Sequence, residues 1–378
     1  MKIKEMSEIL NGYAFKSSNY INDGYRVIRI TNVQSGYIED EKPVYYEYDN
    51  KLEKYELQEN DLLISLTGNV GRCALVTREF LPAYLNQRVC CLRVNEKIVL
   101  PKFLYYILNS KKFEFDCINS SQGIAQLNMS TEWLKKYNLE IPTIELQEKI
   151  INIFDKVYNN IDIKKNQINF CNNLIKSQFV EMFGDPVSNN LNWNILKMSE
   201  LGTLERGTSK HRPRNAPELL GGIYPLIQTG DVSNSGLHIV DYKSTYSELG
   251  LKQSKMWKKN TLCITIAANI AQTSILTFDA CFPDSVVGFI SNGLVNNIFM
   301  HYWFNFLQKI IDAQATQVAQ KNINLKVLNN LDVIVPPIEL QNKFAKIVEQ
   351  IDKQKFEFEK SLKKLEELQA SLMQEYFG

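Results

Sequence analysis

The stretch Arg206 to Arg214, RGTSKHRPR, sets Arg206, Lys210, Arg212 and Arg214 beside His211 in a loop punctuated by Gly and Pro. Loops of this kind neutralise phosphates, and an arginine fork reads a guanine edge through two parallel hydrogen bonds. A second cluster, KQSKMWKK (252–259), interleaves Trp257 with four lysines. Nearer the N-terminus, NGYAFKSSNY (11–20), TGNVGR (67–72) and NQR (86–88) mix cations with Asn, Gln and Ser. Those side chains suit phosphate and base-edge contacts. The candidate contacts are Lys16, Ser17, Asn69, Arg72, Gln87 and Arg88 in the first half of the chain. In the second half they are Lys210, Arg212, Arg214, Gln272, Gln320 and Lys321. Taken singly, each loop is more often an ordinary solvated surface loop than a base reader.

Signatures of catalysis are missing from the sequence. There is no G-x-x-x-x-G-K-[ST] loop, and no G-x-G-x-x-G opens a helix after a strand. The three histidines, at 211, 238 and 301, lie too far apart in sequence to suggest a local metal site. His301 reads as structural within an aromatic helix, His238 lies on a strand face, and His211 sits in the basic loop. Pro283-Asp284 is the only Pro-Asp pair, and no Glu-x-Lys or Asp-x-Lys follows it nearby, as a metal-dependent nuclease would need. Pro336-Pro337 lies between Val335 and Ile338, so it does not form the Asn/Asp-Pro-Pro-aromatic loop of an amino-methyltransferase. The pattern is that of a binder without an active site, with no metal or cofactor of its own.

Bulk properties agree. A length of 378 residues allows two or three domains with real cores. The net charge of +1 leaves any polyanion surface to local patches. Seven scattered cysteines read as reduced and buried. No signal peptide or membrane span is legible, so a cytoplasmic location is expected.

The elements that must position these loops come in two copies. IPTIELQEKI begins at Ile141 and VPPIELQNKF at Val335, 194 positions later. Ile141–Gly184 aligns with Val335–Gly378 without a gap, and both segments close on Glu-x-Phe-Gly. With small shifts, ISLTGNVGRCALV (64–76) resembles ITIAANIAQTSIL (264–276), and RITNVQSG (29–36) resembles QTGDVSNSG (228–236). Long-period self-similarity of this kind marks an internal repeat.

Both tails predict long helices. Phe154, Ile161, Ile168, Ile175 and Met182 form one seven-residue row; Phe344, Ile351, Phe358, Leu365 and Leu372 form another. Each has a companion row broken by polar residues, which is the pattern of a coiled-coil seam. At about 40 residues, each helix would be a rod roughly 55–60 Å long. Two such rods in one chain most simply pair with each other; the alternative is that each packs on its own globular unit. The front parts read as strand-rich mixed domains, each with one helix, at 100–118 and 296–313. The expected organisation is α+β: recognition-type domains at 1–140 and 186–334, and helices at 141–185 and 335–378.

In order and duplication these pieces resemble the specificity subunits of type I restriction–modification systems. NGYAFKSS, QTGDVSNSG, QKNINLKVLNNLDVIVP and the twin IELQ segments carry the resemblance, which covers essentially the whole chain. It implies two target recognition domains, one for each half of a split asymmetric site in double-stranded DNA. The helices would form an antiparallel coiled coil acting as a ruler. Two methyltransferase subunits would dock on the chain, and restriction subunits would join through them. S-adenosylmethionine, ATP and metal chemistry would belong to those partners. One departure is Ala-Asn-Ile-Ala (268–271) in place of Gly-Asn-Val-Gly (68–71). The competing readings are a coiled-coil adaptor that does not read DNA, and a degenerate or solitary enzyme.

Overall fold

Short runs of Val, Ile, Leu and Cys between turn residues give the strands of both halves. The computed structural model describes residues 1–121, 127–211, 213–266, 271–306 and 324–378. The chain divides into two units, Met1–Lys165 with Lys360–Gly378, and Asn166–Glu359.

In unit 1 the strands are β1 (Ser7–Asn11), β2 (Tyr25–Ile28), β3 (Tyr45–Tyr46), β4 (Leu62–Ser65), β5 (Cys73–Leu75), β6 (Ala83–Leu85) and β7 (Val89–Val94). One antiparallel sheet has the order β1-β7-β4-β5; the other is β3-β2-β6, with β2 and β6 parallel. All four residues of β4 are buried, which is why LLIS is apolar almost throughout rather than alternating.

Unit 2 contains β8 (Asn194–Lys197), β9 (Gly202–Arg206), β10 (Leu220–Leu226), β11 (His238–Ile239), β12 (Ser244–Tyr246), β13 (Met256–Trp257), β14 (Leu262–Thr265), β15 (Thr273–Leu276), β16 (Ala280–Cys281), β17 (Val286–Ser291) and β18 (Asp332–Val335). The order β9-β17-β14-β15 repeats β1-β7-β4-β5, with β11 added beyond β15. The order β12-β10-β16 repeats β3-β2-β6, with β13 added. Strands β8 and β18 form a separate antiparallel pair. The repeat in the sequence is thus a repeat of topology.

The single helix expected over 100–118 is two, Pro101–Leu108 and Lys111–Ser120. Ser110 caps the second, its hydroxyl accepting from Phe113 N at 3.2 Å. A serine competing for backbone donors favours a helix start over a helix interior. In unit 2 the corresponding helix is Asn297–Phe304, and the end of the expected 296–313 segment lies outside the described residues. His301 Nδ1 lies 2.9 Å from Thr273 Oγ1. Burial drives its imidazole down to about 4, so it is neutral at physiological pH and structural.

The long helices are Ile144–Phe183 and Ile338–Phe377, 40 residues each. Pro336 follows β18 directly, whereas no strand precedes Pro142. In unit 1, Phe154 packs on Tyr106 (4.9 Å between centroids) and on Phe377 (5.4 Å), and Tyr158 hydrogen-bonds Gln369. In unit 2, Phe344 packs on Phe179 (5.6 Å) and Phe183 (5.4 Å). Phe154, Ile161, Ile175, Phe344 and Ile351 are buried; Ile168, Phe358, Leu365 and Leu372 are half-buried.

The repeated glutamine is fully buried in both copies. Gln147 Oε1 accepts from Leu100 N at 2.8 Å, and its Nε2 donates to Ile98 O at 3.1 Å and Pro142 O at 2.9 Å. Gln341 does the same work: Oε1 accepts from Asn296 N at 2.8 Å, and Nε2 donates to Leu294 O at 3.2 Å and Pro336 O at 2.8 Å. Each side chain therefore fastens its long helix to the start of the short helix Pro101–Leu108 or Asn297–Phe304. No described helix is long and apolar enough to cross a membrane.

Candidate nucleic-acid interface

Three loops lie side by side at one edge of each unit. In unit 1 they follow β1, join β4 to β5, and join β6 to β7. Gln87 N donates to Tyr13 O at 2.8 Å, which ties the first loop to the third. Leu66 N donates to Arg88 O at 3.0 Å, which ties the third to the second. Gly68 N then reaches Leu127 O at 3.0 Å. Unit 2 ties the same loops together, with the bond between first and third loops donated from the first. Thr208 N donates to Phe282 O at 3.1 Å, and Ile266 N to Ser285 O at 3.1 Å. The first loop approaches so closely that a Cβ on Gly12 would lie 2.0 Å from Asn86 O, and one on Gly207 would lie 2.2 Å from Phe282 O. Only glycine permits that approach.

The second loop is closed at its base by a hydroxyl. Ser65 Oγ donates to Asn69 O at 2.5 Å and accepts from Arg72 N at 3.0 Å. Thr265 Oγ1 takes the same place, accepting from Gln272 N at 3.0 Å. Gly71, at φ +80°, and Ala271, at φ +64°, both stand in the left-handed region. Alanine is strained there by about 1 kcal/mol. Ala271→Gly is therefore expected to raise the stability of unit 2 by about 0.5–1 kcal/mol, despite the extra chain entropy of glycine. A urea midpoint that stays level or falls would show that the loop carries no such strain.

Lys16, Ser17, Asn69, Gln87, Arg88, Lys210, Arg214 and Gln272 are exposed on these loops. Arg88 holds φ +72°. Arg72 is half-buried, and its guanidinium donates to Gln34 Oε1 within the unit. Lys210 N and His211 N both donate to Gln253 Oε1, at 2.6 and 3.0 Å. Arg214 Nη2 lies 2.5 Å from Asp284 Oδ1. Arg212, Gln320 and Lys321 lie outside the described residues.

The cluster at 252–259 differs from the sequence reading. Trp257 is buried, stacked on Phe282 at 4.7 Å, and so is core rather than a platform for bases. Lys255 spans Trp257 and Glu205, and Lys258 pairs with Asp279 at 2.8 Å. Two further side chains, Arg29 and Gln228, which no basic run in the sequence marks, stand at the same edge. Arg29 N is capped by Asn32 Oδ1 at 2.9 Å, and Gln228 N by Asp231 Oδ2 at 2.8 Å. The RITNVQSG and QTGDVSNSG likeness begins on these two residues.

The buried thiols are not nucleophiles. Burial pushes Cys90 up to about 12 and raises Cys73, Cys91, Cys117 and Cys263 as well. Among the described residues no three His, Cys, Asp or Glu side chains converge as a metal donor set.

The family profile described as type I restriction modification DNA specificity domain matches twice, over 1–170 and 190–370. The chain belongs to that family. It is 24% identical over 383 aligned residues to the type I restriction enzyme EcoBI specificity subunit of Escherichia coli, covering 93% of this chain and 78% of that one. It is also 24% identical to the putative type I restriction enzyme MjaX specificity subunit of Methanocaldococcus jannaschii, covering 96% and 90%. In fold it resembles the type I restriction-modification S subunit from M. genitalium, with TM-score 0.60 and 16% identity over 99% of this chain and 94% of that one. A chain from a type I R-M system solved for its complex assembly and conformational transition gives TM-score 0.59 and 15% identity, over 100% and 96%. Both family matches coincide with copies of the three-loop edge.

Proposed function

We propose that this chain is the non-catalytic, sequence-reading subunit of a type I restriction–modification complex. Each three-loop edge reads one half of a bipartite, asymmetric site in double-stranded DNA. The observation that carries this reading is the recurrence of one edge on one strand order, with different side chains in each copy. Equal scaffolds present two readers; unequal loops make the half-sites differ. Lys16, Ser17, Asn69, Gln87, Arg88, Lys210, Arg214 and Gln272 are the proposed contacts on the described loops, with the half-buried Arg72 beside them.

The recognition domains are assigned to 1–140 and 186–334, and the helices at 141–185 and 335–378 to an antiparallel coiled coil. The ring contacts of Phe154 with Phe377 and of Phe344 with Phe179 support pairing in opposite senses. A stiff pair fixes the distance between readers, and hence the spacer in the site. Methyltransferase subunits dock on this framework, and restriction subunits join through them. The exposed Phe170 and Phe356 are apolar surface left for such partners.

Exchanging residues 186–334 for the matching segment of another family member tests the reading. The assembled complex is expected to methylate a hybrid site in which only one half has changed, mapped by sequencing modified genomic DNA. A site changed in both halves, or in neither, defeats the two-reader assignment. Unchanged methylation is also the outcome expected of an adaptor that does not read DNA.

A further inference from the structure

Behind the first and third loops of unit 2 lies a cleft of about 280 Å³. Arg214 and Asn215 come from the first loop, Ser285 from the third, and Gln228 and Thr229 from the turn after β10. Leu220, Leu226 and Pro283 supply apolar wall. Thr229 Oγ1 and Ser285 Oγ are 3.1 Å apart, which links two of the three sides.

Arg214 is not a free cation here. Its Nη2 is held 2.5 Å from Asp284 Oδ1, so the net charge of the pair is zero. A phosphate gains little from a neutralised arginine, because the carboxylate repels it at nearly the same distance. A base edge, by contrast, is a neutral pattern of donors and acceptors. A guanidinium carries five N–H donors, more than one carboxylate oxygen can occupy, and its partner fixes the plane of the fork. Arg suits guanine O6 and N7, a carboxylate accepts from cytosine N4, and Gln suits adenine N6 and N7. Apolar wall beside such groups accepts a ring face or a thymine methyl.

Unit 1 shows what this corner looks like without the pair. The backbone tie that Ser285 O makes in unit 2 is made by Arg88 O in unit 1, so Gln87 stands where Asp284 stands. The capped turn that begins at Gln228 begins at Arg29 in unit 1. The same corner thus carries different chemistry in the two copies.

Resting on the function proposed above, we propose that Arg214, fixed by Asp284 and joined by Gln228, is a base-reading set that determines specificity in the second half-site. Arg88 of unit 1, in contrast, supplies phosphate grip. Base discrimination and salt dependence then separate by residue.

The test uses the assembled complex with its methyltransferase subunits. Binding is measured for the duplex target found by methylation mapping, and for every single-base change in the second half-site, at two salt concentrations. Arg214→Ala and Arg214→Lys are both expected to relax discrimination at one or two adjacent positions from roughly ten- to a hundredfold to within a few-fold. The salt slope stays unchanged. Asp284→Asn is expected to relax the same positions. Arg88→Ala is expected to weaken all sequences alike and lower the salt slope by about one. A uniform loss with a lower slope in Arg214→Ala overturns the assignment in favour of phosphate contact. Unaltered discrimination in both Arg214 variants overturns it too, while leaving the two-reader function standing. A wild-type complex without preference for any bipartite duplex overturns both.

Discussion

Replacing Gln341 with leucine is expected to cost unit 2 about 3–5 kcal/mol. The leucine matches the shape but makes none of the three hydrogen bonds that Gln341 makes to Asn296 N, Leu294 O and Pro336 O. One N–H and two carbonyls, partly or fully buried, lose a partner, and each orphaned group costs about 1–3 kcal/mol. Gln147→Leu is expected to do the same to unit 1, through Leu100 N, Ile98 O and Pro142 O. Urea unfolding followed by tryptophan fluorescence measures both: unit 1 holds Trp133, and unit 2 holds Trp193, Trp257 and Trp303. A loss below about 1 kcal/mol in both variants would show that water replaces the side chain and that the glutamine is not a fastening. The size of the effect explains why a polar residue recurs at the same place in two otherwise divergent halves. An apolar residue there would pack, but would leave the first turn of the neighbouring helix without an acceptor.

The glutamines also show what the sequence could and could not reveal. Their recurrence, 194 positions apart, was visible at once. Their role was not, because two of the three backbone partners of each glutamine lie some 45–50 residues away in sequence, as the separations of 47 for Leu100 and 45 for Asn296 record. Backbone partners leave no mark on side-chain identity. Strand runs such as LLIS and VVGFIS were legible because a buried strand must be apolar along its length. The break at Asn109-Ser110 was hidden inside an aromatic run that keeps helical spacing on both sides.

The candidate interface was half legible for a similar reason. Exposed, flexible types such as Lys16, Gln87 and Arg88 stand out in polar loops, and the structure keeps them exposed. Trp257 misled because lysines surround it in sequence, while in space Gly288 gives it room: a Cβ there would lie 2.4 Å from the indole. Arg29 and Gln228 carry no such signal, because each lies just after a strand end rather than in a basic run. The pairing of Arg214 with Asp284 joins residues 70 apart, and no local pattern announces it.

Phe344→Ala is expected to be at least as damaging as the loss of either glutamine, at about 3–5 kcal/mol. Phe344 is fully buried, and three rings meet it within the usual range of aromatic pairs: Phe179, Phe183 and Tyr302 at 5.6, 5.4 and 5.6 Å, with Phe299 behind them against Phe179 and Phe183. Truncation opens a cavity in a rigid ring cluster that cannot collapse, and it also removes edge-to-face contacts worth about 0.5–1.5 kcal/mol each. Phe154→Ala in unit 1 is expected to cost a similar amount, since Phe154 is equally buried between Tyr106 and Phe377. Leu365→Ala, on the same heptad row as Phe344 but only half-buried, should cost clearly less. The ordering distinguishes two origins for the seven-residue rows. If the rows were purely a helix–helix seam, truncations along one row would cost nearly equal amounts. If the rows are also core of the recognition domains at their ends, the end positions dominate. The structure places Phe344 against the domain helix Asn297–Phe304 through Tyr302, so the second outcome is expected: loss at Phe344 well above loss at Leu365, read as a difference in urea midpoint at constant slope. Equal losses at the two positions would refute it.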